Sequence, residues 1–119
     1  MSGLEQQERA ALDRRTRLWQ IDQVRNDLNH RRTLVDRLTP QVEAITQSLG
    51  QLGELQELAA KLPPDVSGSG GARARDQVMG ACAAGAKGLK NRRERYQRQL
   101  DAAQIEIPKL EAQLAQFNA

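Results

Sequence analysis

The chain has 119 residues, 39% hydrophobic and 28% charged, with one Trp, one Tyr and one Phe. So little aromatic area argues against a globule packed around large rings, and the abundance of Leu, Ala, Gln and Arg points instead to long helices. A single Cys excludes an internal disulfide framework, one His with one Cys cannot build an ordinary zinc site, and no apolar run approaches the ~18 residues of a membrane span.

Met1 opens a polar segment without the pattern of a signal peptide, which sets the expectation of a cytoplasmic chain. Residues 1–17 carry Leu4 and Ala11, which continue at seven-residue spacing to Leu18, with Leu12 beside them and Arg9, Arg14, Arg15 and Arg17 between. The spacing predicts a helix, either frayed or docked on something else. Trp19 follows, and with Phe117 it has two readings. It is an end plug for a helix pair, or an aromatic anchor for a partner, since Trp is enriched where binding energy concentrates.

From 18 to 62 the apolar residues Ile21, Val24, Leu28, Val35, Leu38, Val42, Ile45, Leu49 and Leu52 step alternately by three and four, with one gap at Arg31. That is the heptad of a coiled-coil seam. Leu55, Leu58 and Leu62 are expected to continue it through a local stammer. Thr39-Pro40 predicts a bend or a break in this arm, because proline removes a helical donor and crowds the preceding turn.

Residues 63–71, with Pro63-Pro64-Asp65 and Ser67-Gly68-Ser69-Gly70-Gly71, read as a flexible reversal. From 72 to 117 a second heptad stripe runs Met79, Cys82, Ala86, Leu89, Tyr96, Leu100, Ala103, Ile107, Leu110, Leu114 and Phe117, with Arg93 as its one basic member and Pro108 as a second kink site. Cys82 on that stripe reads as a buried structural thiol. Period-two alternation is absent, so strands are not expected.

The two stripes predict an all-α, elongated antiparallel helical hairpin. With the reversal centred near residue 67, facing residues have numbers that total about 134, which pairs Ile45 with Leu89, Leu52 with Cys82 and Val42 with Arg93. At ~1.5 Å per residue the arm from 21 to 62 is roughly 60 Å long, and residues 1–17 are left without a partner in the same chain. The layout is similar to that of many small helical hairpins, among them secretion chaperones, phage accessory proteins and the coiled-coil arms of larger enzymes. Such a likeness implies a fold and no function. The Trp-x-Gly turn that marks the small type VII secretion hairpins is not present.

Charge is unevenly spread. Residues 72–99 hold eight basic side chains against Asp76 and Glu94, whereas residues 38–71 hold Lys61 against Glu43, Glu54, Glu57 and Asp65. The cations Lys87, Lys90, Arg92, Arg93, Arg95 and Arg98 form a dense block that suits an acidic protein surface or phosphates. Motifs of chemistry are missing: there is no phosphate-binding G-x-x-x-x-G-K-[ST], no G-x-S-x-G and no H-E-x-x-H, and His30 beside Arg31 and Arg32 reads as a surface imidazole. The expectation is a non-catalytic interaction module without cofactor, metal, membrane or small-molecule substrate, binding another protein or a second copy of itself. The candidate contacts are Leu4, Leu12, Arg15 and Trp19 at one end and Lys87, Lys90, Arg92, Arg95 and Arg98 in the second arm. The rival reading is a basic helical hairpin that contacts nucleic-acid phosphates through residues 87–98.

Overall fold

A computed structural model describes residues 3–62 and 69–118, with side chains from 73 onward in the second stretch. The fold is an antiparallel helical hairpin of two helices, α1 (Gly3–Lys61) and α2 (Ser69–Phe117). No strand occurs among the described residues.

Each helix is closed at its end by local bonds. The Leu62 amide donates to the Ala59 carbonyl at 3.2 Å, a tightened last turn of α1, and the Asn118 amide donates to Leu114 at 3.2 Å. Glu5 in the first turn of α1 and Lys61 in its last turn both carry the charge that the helix dipole favours there.

α1 is continuous across Pro40, so the expected break at Thr39-Pro40 is not found. Asp36, Thr39 and Pro40 are all exposed. On that side water can take the Asp36 carbonyl that the proline leaves without a helical donor. α2 is likewise continuous through Pro108, also exposed. The expected reversal at 63–71 falls mostly on 63–68, outside the described residues. Its last three positions, Ser69, Gly70 and Gly71, are already helical. The opening turn of a helix tolerates them because its amides have no intrahelical acceptor in any case.

The chain divides into two compact units, Met1–Arg37 with Leu100–Ala119, and Leu38–Gln99. In the first, Leu28, Leu100, Ala103 and Leu110 are buried, and Ile21, Val24, Arg31, Val35, Ile107, Leu114 and Phe117 are half-buried. The Arg17 guanidinium donates to the Phe117 carbonyl at 3.0 Å, and Arg32 lies 3.4 Å from Glu111. A higher number on α1 therefore meets a lower one on α2, and the helices run antiparallel. The Arg32–Glu111 pair is about half exposed on both sides, so it adds a fraction of a kcal/mol, ~0.2–1, and serves alignment more than stability.

In the second unit Leu38, Ile45, Ala59 and Cys82 are buried. Arg93 reaches the Thr46 hydroxyl at 3.5 Å, a methyl built on Gly85 would lie 3.6 Å from Leu52, and the Gln56 side-chain amide donates to the Met79 carbonyl at 3.5 Å. Again the numbers run in opposition. Arg17 with Phe117 and Gln56 with Met79 keep the expected register, their numbers totalling 134 and 135. Arg93 reaches Thr46, one helical turn past Val42, and Leu52 sits beside Gly85, three residues past Cys82, neighbours within the turn that one seam position spans on its partner.

The seam itself departs from expectation. After Leu52 it continues to Gln56 and Ala59 in unbroken three-four steps, with Ala59 only 3% exposed. Leu55, Leu58 and Leu62 are exposed, Leu58 to 62%. There is no stammer, and these leucines lie off the helix–helix contact. Each buried large aliphatic contributes ~1.5–3 kcal/mol, and a two-stranded seam supplies about two such positions per heptad. No polar or charged residue is buried among the described residues.

Candidate interaction surfaces

Residues 3–10 of α1 are all exposed, and Ala11 is half-buried. The segment is helical, and it carries the most exposed large apolar side chains described in the first unit: Leu4, Leu12, Leu18 and Trp19. At 100° per residue, Leu4, Ala11 and Leu18 fall on one line along the helix, with Leu12 and Trp19 on the neighbouring line. The seam traced back from Ile21 falls on Arg17 and Arg14 instead. Arg17 is held by Phe117, and the Arg14 Nε donates to the Ala10 carbonyl at 3.4 Å. Arg15, on the apolar side, is exposed and has no ion-pair partner among the described residues.

Trp19 is 62% exposed and Phe117 is half-buried, which overturns the end-plug reading. The physical reason is angular: Trp19 stands two positions before Ile21, which takes the seam, so the indole points away from α2.

Lys87, Lys90, Arg92, Arg95 and Arg98 are all exposed, but they do not share one face. Arg92 and Lys90 lie on opposite flanks of the seam residue Arg93. Arg92 lines a shallow hollow with Gln41, Ala44, Ile45 and Tyr96. Lys87 and Lys90 line another with Gln56, Ala83, Ala86 and Asn91. Arg95 and Arg98 occupy the outward arc between them. The block is thus a belt wrapped around the exposed side of α2. Arg98 is answered by Glu94 at 3.7 Å in an exposed pair, while Lys87, Lys90, Arg92 and Arg95 have no ion pair among the described residues.

A third surface was not foreseen. Leu55, Leu58 and Leu62 repeat at helical spacing on one outward side of α1. Val78 of α2, also exposed, lies on the same side, because Leu55 and Val78 immediately precede the bonded pair Gln56 and Met79. Hydropathy alone assigned these leucines to the seam. The signal that separates them is phase: Gln56 and Ala59 keep the heptad step from Leu52, and Leu55 and Leu58 do not.

Groups suited to chemistry are few. His30 is exposed, Cys82 is a free, buried thiol on the seam, and no three His, Cys, Asp or Glu residues among those described are placed to share a metal ion. No described helix is long and apolar enough to cross a membrane. Set against known proteins, the chain matches no family model, no curated protein and no solved structure.

Proposed function

We propose that the chain is a non-catalytic interaction module, an adaptor, inhibitor or assembly protein, that acts by laying exposed helix faces on another polypeptide. The observation that supports this most is the row of Leu4, Leu12, Leu18 and Trp19 on one helical segment. Burying a large apolar side chain contributes ~1.5–3 kcal/mol, so four of them held in water on a formed helix are a standing drive to associate. The apolar row would seat in a groove or bundle, as amphipathic helices do, with the nearby arginines setting orientation and encounter rate.

A photo-crosslinking residue at Leu12, compared with one at the exposed Ala102 of α2, tests this in the cells that make the protein. The expected result is a discrete adduct from position 12, lost when Trp19 is changed to Asp, and none from position 102. No adduct at 12, or the same ladder at both sites, would refute it.

A second reading is favoured by one observation, the four cations Lys87, Lys90, Arg92 and Arg95 that have no ion pair among the described residues. They suit the phosphates of nucleic acid, with affinity that falls steeply with salt. Their spread around the helix, rather than along one line, ranks it second. It predicts a mobility shift at low salt that disappears by moderate salt and is abolished by reversing Arg92, Arg95 and Arg98 to Glu with helicity unchanged. No shift at low salt removes it.

A further inference from the structure

We infer that the first turns of α1 are a self-recognition element, which pairs two copies of the chain antiparallel about a two-fold axis between Ala11 and Leu12. This rests on reading that segment as a docking face, and it names the occupant as a second copy.

At 100° per residue, Leu4, Glu8, Ala11, Leu12, Arg15, Leu18 and Trp19 fall within about 120° of arc on α1. All but the half-buried Ala11 are exposed. The row is complementary to its own reverse. An inverted copy sets Leu4 of each chain against Leu18 and Trp19 of the other, and Glu8 against Arg15. The middle is Ala11 with Leu12, and the small side chain lets the helices approach.

Charge selects this orientation. The early turns carry Glu5 and Glu8 with Arg9, and the later ones Arg14, Arg15 and Arg17 with Asp13, and Arg9 and Asp13 lie off the row. Antiparallel pairing brings the acidic end of each copy to the basic end of the other. Parallel pairing would set Glu8 beside Glu8 and Arg15 beside Arg15, and like charges placed together are costly. Arg15 is available for this role, whereas Arg17 and Arg14 already donate to carbonyls of their own chain. The contact is isologous and closes at two copies, so it yields dimers and not fibres. It also covers residues 3–10, which are all exposed. The interface is small, so the dimer belongs to the weak, reversible class.

Sedimentation equilibrium of the full chain, over a concentration series reaching millimolar, reads the association directly. Trp19, the only tryptophan, reports the interface by fluorescence. The expected result is a mass that doubles with concentration and a blue shift of Trp19 emission in step with it. Glu8→Arg and Arg15→Glu each weaken the dimer about tenfold or more. The double exchange Glu8→Arg/Arg15→Glu restores it, and far-UV dichroism stays unchanged throughout. The inference is overturned by a chain that stays monomeric at every concentration, or by a dimer indifferent to Glu8→Arg and Leu12→Asp but broken by Leu58→Asp. A monomer that still forms the position-12 adduct with a different protein overturns only the self-pairing. A monomer with no adduct removes the docking reading as well.

Discussion

Ala59→Asp destabilises the helix pairing in the unit Leu38–Gln99 by about 3 kcal/mol or more, whereas Leu58→Asp, one residue away, changes stability by no more than ~0.5 kcal/mol. Ala59 is 3% exposed at the α1–α2 contact, and a carboxylate there is larger than the methyl it replaces and loses its water. Leu58 is 62% exposed and leaves nothing behind when it is replaced. Chemical denaturation followed by dichroism measures both. If the leucines at 55, 58 and 62 formed the seam, the order of the two effects would be reversed.

The second large effect has the opposite sign. Pro40 sits inside a continuous helix and on its exposed side. Proline in a helix interior is ~3 kcal/mol less favourable than alanine. Pro40→Ala returns a donor to the Asp36 carbonyl and disturbs no packed side chain, so it should raise stability by about 1–3 kcal/mol. Gly50→Ala and Gly88→Ala add to it, since a methyl at either position meets nothing within 4 Å and alanine is favoured over glycine by ~1 kcal/mol in a helix. Thermal melts of the single and combined variants measure the gain. No gain at Pro40 would mean that α1 is not helical through that position in solution.

Much of the fold was legible because two different properties agreed. Between Ile21 and Leu52, and from Met79 to Phe117, the heptad positions other than Arg31 and Arg93 are also the apolar ones, so phase and hydropathy gave one answer. Near the reversal they separate. On α1 the contact there is made by Gln56 and Ala59, a polar and a small side chain that hydropathy ranks low, while Leu55, Leu58 and Leu62 face outward. The register was legible from the place of the reversal alone: Arg17 with Phe117 and Gln56 with Met79 keep the totals near 134 that a turn centred at residue 67 requires. At Pro40 a local rule met a site where its usual penalty is softened by exposure to water.

The candidate surfaces were legible in part. Leu4, Leu12, Arg15 and Trp19 were identified by spacing, and the structure places them together on the outside of one helix. The cations from Lys87 to Arg98 were identified by density along the chain, but density says nothing of angle. Their separation to both flanks of Arg93 follows only once the seam position of Arg93 is known. The Leu55, Leu58 and Leu62 surface was hidden by its own hydrophobicity, which made it resemble core.

The pairing of α1 with α2 in opposite directions underlies every one of these surface assignments, and an intramolecular distance tests it most directly. Spin labels at Thr46→Cys and Arg93→Cys, in a Cys82→Ser background and diluted with unlabelled chain, report that distance by double electron–electron resonance. Helices in contact have axes ~8–10 Å apart, so labels at these facing positions should give a narrow distribution below about 25 Å that survives dilution. A distance near the ~70 Å that separates residues 46 and 93 along one unfolded-back helix, or a short distance that vanishes on dilution, would contradict the hairpin.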